Sequence, residues 1–448
     1  MDLKEQLKVG RKKLGIWGLG YIGFSSMAYF AKAGVVCLGT DVREDTVRDV
    51  NRGKATIPNL DYWLGFDTVS LTEEKIMQAT LDWKELISND VAVHLITVPT
   101  EMHGKPYHDI LKEVITKLSA YKNIKTDHPP LVIVESTLTP TVADNIVIPI
   151  FEKEGLKVGK DILFGIAPRR DWFTSPDKSL KVLPRVVGGT TLETTKLMAD
   201  VLGIICDTIL QAKDHKHAAM VKSIENAYRQ LDITFANQLS LAYPDMDIKS
   251  ILKLAATKWN IGYYQPSFGT GGYCIPLAPQ YVLEGAKYPE RLTLIHEALK
   301  TDFNQPKVVV DSVLKRGAKK VAVLGIAYTA DLKVHVLSPA ITITKLLREA
   351  GVEVKVHDPY YTAEEIKNIT GCETIHFPKG LKDVDTILLV AGHRKYTYTK
   401  TLDILQHLDQ VKLILDNPGI WMGINFPEGV EYYDAGNASW LEKVEKAL

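Results

Sequence analysis

At 448 residues, with 54 Lys+Arg against 54 Asp+Glu, the chain is too long for one ordinary core and carries no net charge. That balance removes any global electrostatic case for nucleic acid or a membrane surface as partner. A composition of 46% hydrophobic and 24% charged residues is that of a soluble globular protein, and no apolar run is long enough to span a bilayer.

The opening stretch, MDLKEQLKVGRKKLGIWGLG, passes from a mixed-charge lead straight into a strand, without the apolar region and cleavage site of a signal peptide. KLGIWGLG, VVCLGTD, VAVHLITVP, LVIVEST and ILFGIAP then read as buried parallel strands, because each is a continuous apolar run closed by turn residues. Helix-length segments separate them, such as YIGFSSMAYFAKAG, whose last glycine suits a C-cap. This alternation predicts a doubly wound α/β domain over residues 1–205. From 206 to 305 the strand signal disappears, and DHKHAAMVKSIENAYRQLDITFANQLSLAY is one long helical pattern. After FNQPK the alternation returns in KKVAVLGIAYT, VEVKVHDP, TILLVAG and VKLILDNP, predicting a second α/β domain over 306–448. The expected fold class is α/β, with two doubly wound (Rossmann-like) domains joined by a helical middle domain.

Three features carry chemistry. GLGYIG places Gly18, Gly20 and Gly23 directly after a strand and at the start of a helix, with Asp41 ending the next strand. Glycines there let the backbone approach a pyrophosphate seated on the positive helix end. Asp41 can accept from a ribose diol and would repel a 2′-phosphate, which favours NAD over NADP; Arg43 pulls the other way. On the middle helix, Lys222 and Asn226 are four residues apart and share a face, with Arg229 about a turn beyond. Such a pair can polarise a carbonyl or hold an oxyanion, although a Lys and an Asn on a helix also read as a solvated face. Finally, FGTGGYCIPLAP surrounds Cys274 with Gly269, Gly271 and Gly272. Either Cys274 is a small buried filler, or its thiol is held where a substrate carbonyl can reach it. The four cysteines (Cys37, Cys206, Cys274 and Cys372) lie far apart with no CxxC pair, which fits reduced thiols in a cytoplasmic protein and no metal site.

The motifs GLGYIG, VPTE, VIVESTLTP, PRVVGG, VKSIENAYRQLDITFANQLS, FGTGGYCIP and GIAYTADLKVHVLSPA resemble, in order and spacing, those of the UDP-glucose/GDP-mannose dehydrogenase family. The resemblance covers nearly the whole chain, and NAYR with GGYCIP looks most like the branch acting on UDP-N-acetylhexosamines. It implies a twofold, NAD-dependent oxidation of the C6 alcohol of a nucleotide sugar to a carboxylate, for polysaccharide biosynthesis. Cys274 would be the nucleophile, Lys222 and Asn226 would stabilise the oxyanion, and Thr137 would contact water or the cofactor. Tyr21, Ile22, Val98, Pro99 and Thr100 would join the glycines, Asp41 and Arg43 around NAD. Arg169, Arg170, Arg229, Tyr264, Phe268 and Gly271 would join Lys222 and Asn226 around the substrate. The C-terminal domain would hold the nucleotide, and the middle helix would form a homodimer interface.

The chain departs from the family pattern at several positions. Arg169 stands where the family has Glu, Phe173 where a second acid is expected, and Ala278 where Asp follows the cysteine. Thr329 replaces Lys, Lys333 and Val334 replace paired acids, Val336 replaces Arg, and Gln238 replaces Glu. Losing carboxylates that handle protons and water should impair thioester hydrolysis more than the first oxidation. Three readings stay open at this point: the family's double oxidation; a single two-electron oxidation or a substrate whose anionic group faces Arg169; and a non-catalytic binder of NAD or a nucleotide sugar.

Overall fold

A computed structural model describes residues 1–55, 60, 64–172 and 176–437. The chain divides into two compact units, Met1–Glu225 with Gln280–Lys287, and Asn226–Pro279 with Tyr288–Leu448. The helical middle is therefore shared between them.

The first unit is built on eight strands: β1 (Lys13–Trp17), β2 (Cys37–Thr40), β3 (Met77–Thr80), β4 (Val91–Ile96), β5 (Leu131–Val134), β6 (Leu163–Ile166), β7 (Arg185–Gly189) and β8 (Ile209–Gln211). Their order across the sheet is β8-β7-β6-β5-β4-β1-β2-β3, and every pairing is parallel except β6 with β7. The first six strands thus follow the 3-2-1-4-5-6 order of dinucleotide-binding sheets, which opens a crevice beyond the ends of β1 and β4. Alternation along β5 feeds two cores. Leu131 and Ile133 pack with Leu14, Ile16 and Phe24 on one face, while Val132 and Val134 pack with Trp17, Ile96 and Phe164 on the other. Burial on both faces explains why these strands read as unbroken apolar runs. Strand β8 lies inside the stretch expected to hold no strand; it is a three-residue edge with Leu210 and Gln211 exposed.

One polar group is sealed inside this sheet. His94 of β4 is fully buried, accepts from Trp17 Nε1 at 3.1 Å through Nδ1, and meets the Tyr121 hydroxyl at 2.9 Å through Nε2. Burial pushes its imidazole down to about 3, so the ring is neutral and donates from Nε2.

Helix α1 (Tyr21–Lys32) follows β1, and the chain leaves it through Gly34 at φ +86°. The long helical pattern forms one 28-residue helix, α2 (His215–Ala242), which passes from the first unit into the second between Glu225 and Asn226. Helix α3 (Ile248–Ala255) follows, and α4 (Ala278–Glu284) carries the chain back into the first unit at Gln280. Helix α5 (Thr293–Lys315) returns to the second unit.

The second unit holds six parallel strands, β9 (Lys320–Leu324), β10 (Glu353–His357), β11 (Glu373–Thr374), β12 (Thr386–Leu389), β13 (Leu413–Asp416) and β14 (Glu431–Asp434), in the order β11-β10-β9-β12-β13-β14. This again is 3-2-1-4-5-6. Helix α6 (Pro339–Glu349) packs Ala340, Ile343 and Leu347 against Val321 and Val323 on one face. Leu324, Ile387 and Trp421 fill the other. The fold is thus the expected pair of doubly wound α/β sheets with a helical middle. Among the described residues, no helix is long and apolar enough to cross a membrane.

Candidate active site

In the first unit, the crevice at the end of β1 is shaped by glycine. A Cβ on Gly23 would lie 1.9 Å from the Gly18 carbonyl oxygen and 2.6 Å from Thr97 Oγ1, so only glycine lets α1 close on the β1 turn. Gly18 itself sits at φ +88°, and its carbonyl accepts from Thr97 Oγ1 at 2.6 Å. Gly20, by contrast, faces open space, with nothing within 4 Å of a Cβ, and caps α1 without a side-chain hydrogen bond. The N-terminal end of α1 is thus uncrowded at Gly20, as backbone approach to a pyrophosphate requires. Asp41, just past β2, is fixed by Leu19 N at 2.8 Å and Arg43 N at 3.0 Å. The Arg43 side chain is mostly exposed, with Nε 3.9 Å from Asp41 Oδ1. Tyr21 and Ile22 open α1 half-buried, Val98 is buried and Pro99 is exposed. Thr100 donates to the Thr137 carbonyl at 2.7 Å and accepts from Tyr281 Oη on its own carbonyl at 2.7 Å. An open cradle, two closed glycine contacts and an anchored acid fit NAD. Gly23→Ala should accordingly abolish NAD binding in calorimetry; near-native affinity would contradict this account of the turn.

Arg169 corrects an expectation. It is buried, and all five of its N–H donors are taken: Nε and Nη2 hold Asp171 at 2.6 and 2.8 Å, Nη2 also reaches Ser25 at 3.1 Å, and Nη1 reaches Ser26 at 2.7 Å and the Ile22 carbonyl at 3.3 Å. No donor remains for a substrate anion. Burial opposes ionisation of Asp171, but the Arg169 charge and hydrogen bonds outweigh it and hold that carboxyl below the usual range. Beneath them, Glu135 accepts from Ser26 Oγ at 2.5 Å and from Arg185 Nη2. Two buried cations thus balance two buried carboxylates at the foot of α1. Arg170 is also occupied, by Glu225 at 2.8 Å and the Pro184 carbonyl at 2.6 Å. Phe173 falls outside the described residues.

In the second unit, Cys274 is exposed while Cys37, Cys206 and Cys372 are buried. The filler reading fails; this thiol reaches solvent. Its loop is pinned from three sides. Ser267 N donates to Asn237 Oδ1 at 2.6 Å, Phe268 N to Asn417 Oδ1 at 2.8 Å, and Thr270 N to Asp302 Oδ1 at 2.9 Å. Gly272 N then donates to the Val336 carbonyl at 2.8 Å. A Cβ on Gly271 would lie 2.6 Å from Tyr328 Cβ, and one on Gly272 would meet the Tyr328 ring at 2.9 Å. Those glycines exist so that Tyr328 can cover the loop. Burial first, and the Cys274 thiol second, push the Tyr328 phenol up to about 12, while Arg229 draws it back.

Two further expectations change here. Phe268 is a core residue, 1% exposed and packed with Val309 and Ala340, so its ring is not available to a substrate. Gly271 is closed by Tyr328 rather than open to a ligand. Tyr264 is half-buried, and Arg229 is exposed on α2. Lys222 and Asn226 lie four apart on α2, both half-buried, one in each unit. Four of the positions expected to depart from the family pattern have local partners or burial: Lys333 pairs with Glu365 at 2.6 Å and lies over the Tyr361 ring, Ala278 is buried at the start of α4, and Val334 and Val336 lend carbonyls to Tyr328 and Gly272. Sequence reasoning missed Asn237, Asp302, Asn417 and Tyr328. The one available signal was an acid, Asp302, on the apolar stripe of α5 between Ile295 and Val309.

Three family models match the chain: the UDP-glucose/GDP-mannose dehydrogenase NAD binding domain over residues 12–205, the central domain over 216–303 and the UDP binding domain over 322–422. Among curated proteins, a UDP-N-acetyl-D-mannosamine dehydrogenase of Methanococcus aeolicus is 26% identical, covering 99% of both chains. A UDP-N-acetyl-D-glucosamine 6-dehydrogenase of Pseudomonas aeruginosa is 27% identical, covering 86% of this chain and 91% of that one. Among solved structures, the UDP-N-acetyl-mannosamine dehydrogenase Cap5O of Staphylococcus aureus superposes with a TM-score of 0.78 at 25% identity, covering 96% of this chain and 99% of the other. A UDP-D-ManNAc dehydrogenase of Pyrococcus horikoshii shares the fold, with a TM-score of 0.83 at 24% identity over 95% of this chain and all of that one. The chain belongs to the UDP-glucose/GDP-mannose dehydrogenase family and is an NAD-dependent dehydrogenase.

Proposed function

We propose that the enzyme oxidises the C6 alcohol of a UDP-N-acetylhexosamine to the uronic acid, with Cys274 as covalent nucleophile. The observation that carries this reading is the exposed Cys274 thiol on a glycine loop fastened by Asn237, Asn417 and Asp302. The similar UDP-N-acetyl-D-mannosamine and UDP-N-acetyl-D-glucosamine dehydrogenases suggest the substrate class. Two NAD, bound in turn, would supply the hydride acceptor for each of the two oxidations. After the first oxidation, Cys274 Sγ adds to the C6 aldehyde: the C–S bond forms, the carbonyl π bond breaks, and the thiol proton ends on the new hydroxyl. Lys222 and Asn226, on one face of α2, stabilise the developing oxyanion. Oxidation of that adduct gives a thioester, and water cleaves its C–S bond, releasing the carboxylate and restoring the thiol. Thr137 orders the water or the cofactor. The C-terminal sheet holds the nucleotide.

A second reading has its own observation. Arg169 is internally saturated and Ala278 is buried, and neither is the acid expected at its position; on this reading the reaction would stop after two electrons as an aldehyde. Counting NADH per sugar across UDP- and GDP-sugars, with the product identified by mass spectrometry, separates the two. Two NADH and a uronic acid from a UDP-N-acetylhexosamine are expected; no turnover of any such sugar overturns the proposal.

The enzyme works as a homodimer through α2. Ile224, Tyr228 and Phe235 are large, exposed and spaced at intervals of four and seven along that helix, a stripe that suits burial against a second copy. Sedimentation at micromolar concentration should give the mass of two chains, and Phe235→Glu should shift it to one. A wild-type monomer would contradict this.

A further inference from the structure

Glycine makes the nucleophile loop intrinsically loose, so its shape is imposed from outside. Gly269, at φ +124°, Gly271 and Gly272 flank Thr270, four residues before Cys274. Thr270 is gripped by one side chain. Asp302 on α5, 3% exposed, spends both carboxylate oxygens on it: Oδ1 accepts from Thr270 N at 2.9 Å and Oδ2 from Thr270 Oγ1 at 2.5 Å. One turn along α5, Pro306 packs its ring 3.4 Å from where a Gly269 Cβ would be. Pro306 also has no N–H to give to the carbonyl of Asp302, which loosens the helix ladder at this point. Among the described residues, no Lys, Arg or His forms an ion pair with Asp302. Burial raises its pKa, and the bonds from Thr270 and Gln230 counter that only in part. A carboxylate desolvated without a cation costs free energy, and this one recovers hydrogen bonds mainly from the loop. Gln230 is itself fully buried on α2 and anchored to Thr234 Oγ1 at 3.0 Å.

We propose that Asp302 is a positioning residue for the reaction: by fixing Thr270, it sets the path of the loop and hence the attack geometry of the Cys274 thiol. This rests on the reading of Cys274 as nucleophile. Asp302 is 3% exposed and both its oxygens accept from Thr270, so it acts through the loop, and its loss should lower kcat and spare KM. Misplacing a reacting group by about 1 Å costs up to about a hundredfold in rate.

The test uses the full-length enzyme with NAD and the UDP-N-acetylhexosamine it turns over. Asp302→Ala should lower kcat roughly ten- to hundredfold, with KM within about twofold. Asp302→Asn keeps an acceptor for Thr270 N and an amide for its hydroxyl, and should recover most of the rate. Thr270→Val, at a half-buried position, removes only the hydroxyl bond; it should fall between the two and serves as the test if Asp302→Ala does not fold. Hydrogen exchange of the 267–274 peptide is read in parallel and should accelerate in Asp302→Ala while the rest of the second unit keeps its protection. Unchanged kcat, unchanged loop exchange, or loss of protection throughout the unit would each overturn the proposal. Full turnover in Cys274→Ala would sink the nucleophile reading by itself, and loop exchange would still decide whether Asp302 holds the loop.

Discussion

Cys274→Ala should abolish carboxylate formation and cut the NADH yield from two per sugar to one at most. The argument is one of bond making. The second oxidation needs a tetrahedral carbon bearing a hydrogen, and on the proposed mechanism addition of the Cys274 thiol to the aldehyde would create it while excluding early release. No other thiol can substitute, because Cys37, Cys206 and Cys372 are buried and burial raises the pKa of Cys37 and Cys372. Losing a nucleophile that acts as part of a unit costs several orders of magnitude in rate. Cys274→Ser should restore little, since a hydroxyl without a base is a far weaker nucleophile. One NADH per sugar, insensitive to Cys274, would establish the single oxidation instead.

Arg169→Glu, which installs the residue that the motif resemblance leads one to expect there, should destabilise the enzyme rather than improve it. The new carboxylate would enter a buried site already holding Asp171 and Glu135, and five donor contacts would vanish with the guanidinium. Removing one partner of a buried ion pair costs roughly 3–5 kcal/mol, and adding a like charge raises that further. Arg169→Ala should therefore shift the urea midpoint sharply downward, and Arg169→Glu should lower it more or prevent folding. Because the guanidinium also ties Ser25, Ser26 and the Ile22 carbonyl of α1, surviving variants should bind NAD more weakly. A tenfold rise in KM for the sugar with unchanged stability would restore the discarded substrate-binding role.

What was legible in the sequence was whatever is local or repetitive. The strands buried on both faces read directly, and GLGYIG with Asp41 marked a candidate cofactor crevice. The glycine loop marked Cys274 as a candidate. Edge strands escaped notice because one side of them faces solvent: β3 carries a single buried residue, Met77, and β8 none. The role of Arg169 was beyond reach because it depends on Ser25 and Ser26, more than 140 residues away, meeting a carboxylate two residues on. Asp302 hid for a similar reason. On a helix an acid reads as a solvated face, and only the tertiary fold brings Thr270 to it.

The Arg169–Asp171 pair also constrains descent. If an ancestor carried the Glu expected at position 169, acquiring Asp171 first would bury like charges together, and acquiring Arg169 first would bury a cation short of its main partner. Either single step passes through a weakened protein, whereas a neutral residue at one position offers a gentler route. The two positions should therefore be inherited together: lineages carrying Arg at 169 should carry an acid at 171, and reversion should pass through a neutral residue at one position or require both changes at once.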